Sequence, residues 1–593
     1  MADAPKGLGK VLGRPVLLSQ AVFLVVAFAY FFFAANYVLY FQETQTLFLF
    51  SGEFLREHFS RPGGPLAYGA EFLTQFYARE LPGSLIVAVV LTLPGVVLFF
   101  VKRRLSPDVR FTWVLLLVPS CLLLILQANY YHLMEYNLGL LLVLLFYLFS
   151  ITSDKRYQRV LVLALVPLFY FLAGAFALVF AGMFACHVLF LQKGKGKYPF
   201  TFLLLAITGG TFLVFWKVLF LEPMRQIAWY PLPLFDTTGY NTTLSVLAGY
   251  LILFPLLARD GAPAFPSGAK KRFLVVSSVV ALVSIGITLV VLEYDLQTAR
   301  VVEIERSIYA EEWGEAIEAH ENRPSRDRIG QYFYNVALSE TGQLCDRLFR
   351  GTQDFGPASL VLPWEVQFLN SGAYYYYAIG LANEAHRWAY EDMVVYGYRP
   401  QNLQILAKTT LISGDFRMAK KYAGILKNTV YYRDWAADVE EIADNPDLLV
   451  SHPDLLARSK LLPKENFFIE YDQPENNLPL LLEAQPDNRK ALEYLLAGLL
   501  LIKNVDAAVS HVGELKDLGY ERIPRHLEEA ALIFVNTSDF PPNLGGLEIS
   551  PSTQVRFDRY SAAYAVASRD PQTLRARMEE EFGDTYWFYF QFR

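Results

Sequence analysis

The chain has 593 residues, of which 54% are hydrophobic, 15% aromatic and only 19% charged, with a formal net charge of −6. That is too apolar for one water-soluble domain, and an acidic balance without basic patches interleaved with stacking aromatics excludes a nucleic-acid binder. Cys121, Cys186 and Cys345 stand without CxxC spacing, two of them inside apolar runs, so neither a disulfide framework nor a zinc site is indicated.

The apolar residues crowd into the first half, and from Arg300 onward the charge density is that of an ordinary globular protein. The expected organisation is a membrane domain over 1–297 followed by a water-soluble domain over 298–593, each long enough to bury a core. Lys6, Lys10 and Arg14 precede the first apolar run. That run is longer than the apolar part of a signal peptide and no small-residue cleavage site follows, so it reads as a retained first span.

Runs long enough to cross a hydrocarbon core of about 30 Å lie near 15–40, 84–101, 110–127, 136–152, 158–174, 175–192, 199–221, 243–258 and 273–292, about nine spans in all. Lys and Arg beside a span are retained in the cytoplasm. With the N-terminus inside, the other inside loops carry Lys102-Arg103-Arg104, Lys155-Arg156 with Arg159, Lys193-Lys195-Lys197, and Arg259 with Lys270-Lys271-Arg272. The expected location is the inner (cytoplasmic) membrane, with loops 41–83, 128–135 and 222–242 and the C-terminal domain on the periplasmic side. This arrangement needs Gly174 to mark a tight reversal between two spans.

The first outside loop has apolar residues at Leu47, Phe50, Phe54 and Leu55, then at Leu66, Phe72, Leu73, Phe76 and Tyr77, divided by Pro62-Gly63-Gly64-Pro65. The spacing predicts two short amphipathic helices in the membrane interface or, equally, a packed loop. Arg56, Glu57, His58 and Arg61 fall on other faces and read most simply as a solvated surface.

From about Thr298 the periodicity is helical throughout, punctuated by Gly and Pro. Gly380-Leu-Ala-Asn-Glu-Ala385-His-Arg-Trp388-Ala389 matches Gly414-Asp-Phe-Arg-Met-Ala419-Lys-Lys-Tyr422-Ala423 at an offset of 34 residues, the tetratricopeptide period. Weaker copies begin around Trp313, Gly342 and Val505. The fold class expected is therefore all-α: a polytopic helical membrane bundle followed by a tetratricopeptide-like α-solenoid, closed by the aromatic tail Tyr586-Trp587-Phe588-Tyr589-Phe590.

No phosphate loop, HExxH or GxSxG is present, which leaves polar residues at the outer membrane face. Glu43 follows the first apolar run; a carboxylate there can accept a proton from an attacking hydroxyl or hold a divalent cation, or simply mark the end of the span. Lys217, near the outer end of the seventh run, and Arg225 beyond it suit a lipid-linked phosphate or snorkelling to the interface. His132 and Glu135 share one helical face and suit proton transfer, metal binding or a plain surface hydrogen bond. Trp229, Tyr230 and Asp236 suit a sugar site by stacking and hydrogen bonding, and an aromatic belt explains the two rings equally well. Asn36 and His187 read as satisfied polar groups inside the bundle.

A first span ending in an acid, a long first outside loop of two membrane-lying helices, and a many-span bundle with an outside C-terminal domain resemble the GT-C superfamily of polyprenyl-phosphate-dependent glycosyltransferases. Some of its members carry C-terminal tetratricopeptide repeats. The resemblance implies an acid of the first outside loop as catalytic base or metal ligand, which falls on Glu43, and basic residues on the donor phosphate, which falls on Lys217 or Arg225. His132, Glu135, Arg56, His58, Trp229 and Asp236 are the further substrate-binding candidates. The sequence departs from the pattern in having no second acid beside Glu43. The layout is also similar to many-span envelope proteins of the Bacteroidota, a resemblance that implies no activity.

Two functions follow as expectations. One is transfer of a sugar from a polyprenyl-linked donor to an envelope acceptor, with membrane lipid as partner and a divalent cation as the one conceivable cofactor. The other is a non-enzymatic membrane-anchored scaffold that binds a protein or peptide on its repeats. A transporter ranks third, because no chain of ionisable residues continues through the spans.

Overall fold

A computed structural model describes residues 14–106, 112–153, 155–220, 222–232, 238–259, 291–292, 294–465, 467, 469–470, 476–568, 570 and 572–593. Regular structure among them is helical throughout. The chain divides into two compact units, Met1–Asp295 and Leu296–Arg593.

In the first unit, α1 (Arg14–Phe33) is followed by α2 (Asn36–Gln45), α3 (Gly52–His58), α4 (Gly64–Thr74) and α5 (Glu80–Leu105). Then come α6 (Thr112–Gln127), α7 (Met134–Ser150), α8 (Arg156–Ala173), α9 (Phe176–Leu191), α10 (Lys197–Val214), α11 (Met224–Trp229) and α12 (Thr238–Leu257). Among the described residues, five stretches are long and apolar enough to span a membrane: Val16–Phe33, Glu80–Leu105, Arg156–Ala173, Lys197–Leu219 and Tyr240–Leu257. Leu115–Gln127, Met134–Ser150 and Phe176–Leu191 are shorter apolar helices. The protein is therefore a membrane protein. The run expected near 273–292 lies outside the described residues apart from its last two.

Small and aromatic residues explain the packing. Phe176, Ala177, Phe180, Met183, Phe184 and Val188 of α9 are buried, and the helix packs on α7, α8, α10 and α12. His187 is satisfied there by the Tyr147 hydroxyl at 2.9 Å. The basic last turn of α5 suits the negative end of the helix dipole, and Lys102 Nζ donates to the Ala258 carbonyl at 2.6 Å. Gly174, at φ 56°, separates α8 from α9, so the expected reversal is real.

One local expectation needs correcting. The first apolar run is not one helix: it breaks at Ala34–Ala35, and Asn36 opens α2 with its amide donating to Glu80 at 3.3 Å. Gln42 and Glu43 thus lie in a helix with buried side chains, not at the start of a loop. Of the two alternatives left open for the first-loop helices, packing against the bundle is seen for α4, which buries Leu66, Ala67 and Ala70 and lies against α7 and α8.

The second unit opens with α13 (Leu296–Tyr309), α14 (Trp313–Asn322), α15 (Arg328–Glu340), α16 (Leu344–Arg347), α17 (Leu369–Ala378) and α18 (Ala382–Tyr396). It continues with α19 (Pro400–Ile412), α20 (Phe416–Leu426), α21 (Arg433–Asp444), α22 (Pro453–Lys460), α23 (Asn477–Ala484), α24 (Arg489–Leu501), α25 (Val505–Ser510) and α26 (Glu514–Asp517). It ends with α27 (Arg525–Thr537), α28 (Pro551–Ala567), α29 (Leu574–Phe582) and α30 (Tyr586–Phe592).

The sequence copies coincide with one repeated corner. Glu311, Gly342, Gly380, Gly414 and Lys503 all have positive φ. In each case the next residue's N–H reaches the carbonyl five positions back: Glu312 to Ser307, Gln343 to Leu338, Leu381 to Tyr376, Asp415 to Thr410 and Asn504 to Leu499, at 2.8 to 2.9 Å. That bond closes a helix C-terminus in the left-handed manner, and a second helix starts within two residues. Five residues after four of these corners stands a fully buried alanine, Ala316, Ala385, Ala419 or Ala508; the corner at Gly342 has Arg347 instead, and its second helix is one turn long. Successive helices α17 to α21 pack pairwise, as do α13, α15, α17 and α19. The aromatic tail forms α30, whose Trp587 and Phe588 pack with Leu532, Tyr560, Met578 and Phe582.

Candidate functional site

Ionisable side chains gather around the turn between α3 and α4. Gly63, at φ 80°, gives its N–H to the Phe171 carbonyl at 2.8 Å, which pins the turn to the end of α8. A side chain on Gly64 would meet the His58 carbonyl at 1.7 Å. The backbone is thus folded so closely that only glycine fits. Tyr230 is fixed by the same region, since Ala175 N–H donates to its carbonyl at 2.9 Å.

His58 is 5% exposed. Its Nδ1 faces the Phe54 carbonyl at 2.9 Å and its Nε2 faces Glu71 Oε1 at 3.2 Å. Both neighbours are acceptors, so only the protonated ring satisfies both. Burial works against that charge, but the Glu71 carboxylate and the Phe54 carbonyl outweigh it, and the ring stays protonated to higher pH than usual. The Arg61 guanidinium lies 4.6 Å from the centre of the Tyr230 ring, and its Nη2 is 3.4 Å from the Tyr230 hydroxyl. That hydroxyl reaches Glu135 Oε2 at 3.5 Å. Glu135, 9% exposed, feels the charges of Glu71, Arg61 and His58. Two carboxylates, a guanidinium, an imidazole and a phenol meet here, from the 58–71 stretch, the start of α7 and the segment after α11.

A second polar group beside it is closed on itself. Gln42 Nε2 donates to the carbonyls of His132 at 2.8 Å and Tyr130 at 3.1 Å. Asn137 Nδ2 donates to Gln127 Oε1 at 2.5 Å, and Gln127 Nε2 to the His132 carbonyl at 3.2 Å. His132 Nε2 meets Asn137 Oδ1 at 3.0 Å and Nδ1 meets the Tyr240 hydroxyl at 2.6 Å. The ring therefore donates from Nε2 and accepts at Nδ1, a neutral tautomer. Burial holds its pKa down to about 4 despite the Asn137 bond.

The sequence candidates separate accordingly. His58 and Glu135 enter the charged cluster, and His58 is buried where the sequence suggests a solvated face. His132 belongs to the closed network and Glu43 is buried on α2 next to it. Arg56, Arg225 and Trp229 are exposed. Lys217 is exposed in a π-helical turn, Phe215–Leu219, with its ammonium 3.6 Å from the centre of the Trp216 ring. Among the described residues, Lys217 and Arg225 do not join either group. Asp236 lies outside the described residues. Among those described, no three His, Cys, Asp or Glu side chains converge as metal ligands.

Glu71 is the residue missed. Its signal is present, since it is the sole charge between Arg61 and Arg79 in an otherwise apolar and small-residue stretch. Tyr230 was visible only as a ring, because what its hydroxyl meets depends on α7 and the α3–α4 turn.

No curated protein and no solved structure matches the chain. One family model matches residues 14–593, both units together. The chain therefore belongs to the family of unknown function DUF6057.

Proposed function

We propose that the protein is an integral membrane glycosyltransferase of the GT-C kind, moving a sugar from a polyprenyl-phosphate donor to an envelope acceptor at the outer face of the cytoplasmic membrane. The observation that carries this reading is the meeting of Glu71, Glu135, Arg61, His58 and Tyr230 at one end of an apolar bundle. The distribution of Lys and Arg between the spans supports the outward orientation.

Glu71 is already engaged by the His58 imidazolium at 3.2 Å. Glu135 has only the long contact from Tyr230 as a hydrogen bond among the described residues, and it is the better base. The acceptor hydroxyl gives its proton to Glu135 while its oxygen bonds to the anomeric carbon. The bond from that carbon to the phosphate oxygen breaks, its electron pair leaves on the phosphate, and Arg61 neutralises the charge gathering there. Glu43, the base expected from the resemblance, has no part in this scheme.

The test compares envelope glycans and lipid-linked sugars in a host lacking the protein, complemented with the intact chain, Glu135→Gln or Glu43→Gln. Restoration by the intact chain and Glu43→Gln, but not by normally expressed Glu135→Gln, is the expected result. Restoration by all three chains removes the site assignment.

A second reading, a membrane-anchored scaffold for envelope protein assembly, is favoured by the stacked helical hairpins of the second unit, a surface type suited to extended partners. No glycan change with any of the chains would put it first.

A further inference from the structure

Lys217 and Arg225 take no part in the transfer chemistry, and the backbone on which each stands is fixed. The π-helical turn Phe215–Leu219 follows α10 and is closed by the Phe220 N–H, which donates to the Phe215 carbonyl at 2.9 Å. Turns of this kind are rare and recur at functional sites. Phe215 packs edge-on against Tyr170 at 5.6 Å between ring centres, and Phe220 stacks with Phe171 at 6.4 Å. The short helix α11 is tied to the same place: the Tyr170 hydroxyl donates to the Ile227 carbonyl at 2.9 Å, and α11 packs against the turn. Both cations therefore sit beside the end of α8.

Both side chains are exposed. Among the described residues neither is paired with a carboxylate, and Glu222, which lies between them in the chain, pairs with neither. The Lys217 ammonium rests over the Trp216 ring, 3.6 Å from its centre, a contact that attracts the cation without neutralising it. Val218, Leu219, Met224 and Trp229 are exposed around them. Lys155 precedes α8, and Lys193 and Lys195 precede α10, where the bias of Lys and Arg towards one side of a membrane favours them. Lys217 and Arg225 stand at the opposite ends of these helices, against that bias, where an anion has to meet them. The described residues supply none, and the bilayer does. Two fixed cations edged by apolar side chains and a tryptophan match an amphiphile with an anionic head. A zwitterionic headgroup carries its own cation beside its phosphate, which the two side chains repel, so it gains less.

We propose that Lys217 and Arg225 bind the phosphodiester headgroup of an anionic glycerophospholipid, whose acyl chains lie on Val218, Leu219 and Met224. The site stands whether or not the first unit transfers sugar, because Glu135 and Arg61 are not among its residues.

The experiment uses the purified full-length chain in a non-ionic detergent. Dioleoylphosphatidylglycerol, dioleoylphosphatidylcholine and decaprenyl phosphate are supplied in equal amounts, and native mass spectrometry reads which lipid stays bound. Lys217→Gln and Arg225→Gln are compared with Lys195→Gln, an exposed cation between α9 and α10, and each variant's thermal unfolding without added lipid is matched to that of the parent. The expected result is retention of phosphatidylglycerol over phosphatidylcholine, lowered about fivefold by Lys217→Gln and by Arg225→Gln but not by Lys195→Gln. Absence of a preference for phosphatidylglycerol overturns the proposal, as does a preference that both variants keep. Preferred retention of decaprenyl phosphate through the same two residues overturns it in favour of a carrier-lipid site. Glu135→Gln is expected to keep the bound phosphatidylglycerol while it loses envelope glycan transfer, so the two readings fail separately.

Discussion

Glu311 and Lys503 occupy the same backbone setting: φ is 60° at both, and among the described residues they are the non-glycine positions in the left-handed region. Each stands at a helix C-terminus, five residues before a fully buried alanine, Ala316 or Ala508. The other three corners of this kind use glycine, at 342, 380 and 414. The hairpin geometry is therefore held even where the local residue disfavours it, because burial of the helices on either side outweighs a strain of about 1–2 kcal/mol.

The corners differ in what a side chain would meet, and this ranks two substitutions. At Gly414 an added Cβ finds open space, whereas at Gly380 it lies 2.5 Å from Leu461 Cβ and 2.7 Å from the Leu461 carbonyl oxygen. Gly414→Ala should cost about 1 kcal/mol from backbone strain alone, and Gly380→Ala about 3 kcal/mol or more, since overpacking is added. Denaturant unfolding of the purified chain, followed by tryptophan fluorescence, measures both; equal losses would contradict the corner geometry.

His58 and His132 predict opposite responses to pH. The His58 pKa is raised in the folded chain, so its protonated pairing with Glu71 stabilises fully below the unfolded value of about 6.5 and is lost as pH rises through the higher folded value. His132 is held down to about 4. Its contribution is present above about 6.5 and is lost as pH falls towards the folded value, because the unfolded chain then binds the extra proton. Thermal unfolding across pH 4 to 8 should show His58→Gln flattening the alkaline side of the profile and His132→Gln the acidic side.

The closed network is predicted to be intolerant of apolar replacement. His132→Phe leaves the Asn137 amide oxygen and the Tyr240 hydroxyl without their ring partner. Stranding buried polar groups costs about 1–3 kcal/mol each. The loss should appear as reduced thermal stability in detergent, while the surface change Arg56→Ala should leave stability within about 0.5 kcal/mol.

Arg61 should not tolerate lysine. Its planar cation stacks on Tyr230 and reaches the Tyr230 hydroxyl, a geometry that an ammonium on a flexible stem does not reproduce. Arg61→Lys is expected to lower sugar transfer at least about tenfold with expression retained, consistent with lost transition-state stabilisation of about 1.4 kcal/mol or more. Full activity in Arg61→Lys would argue against a phosphate role.

Removal of residues 585–593 should destabilise the second unit by several kcal/mol, roughly what burial of two or three aromatic side chains provides. Glu529 explains why the effect exceeds lost apolar contact: its Oε2 accepts from the Tyr586 N–H at 2.6 Å and faces His526 at 2.9 Å, and its carbonyl accepts from Trp587 Nε1 at 2.9 Å. Trp587→Phe loses that last bond and also leaves a cavity where the indole's second ring was buried, so it should cost about 2 kcal/mol or more.

Much of the architecture was legible because it depends on properties that a local window carries. Apolar runs between Lys and Arg clusters mark candidate spans; Gly174 marks the reversal between α8 and α9; the 34-residue match at Gly380 and Gly414 marks two hairpins whose corners and buried alanines then recur at Glu311 and Lys503. The break at Ala34–Ala35 was not legible, because both sides of it are apolar and the partner that opens α2 is Glu80, far along the chain.

The sequence by itself therefore determined an apolar first half, a helical second half and the punctuation of both, since hydrophobic periodicity and turn chemistry act between neighbours in the chain. Only the tertiary structure decided which charges matter. It buried His58 against Glu71, set Arg61 over Tyr230, and brought Glu135 to both, leaving Lys217 and Arg225 exposed and His132 enclosed. Ion pairing, desolvation and hydrogen-bond satisfaction depend on distances across the fold, and such distances between remote segments are fixed only when the helices pack.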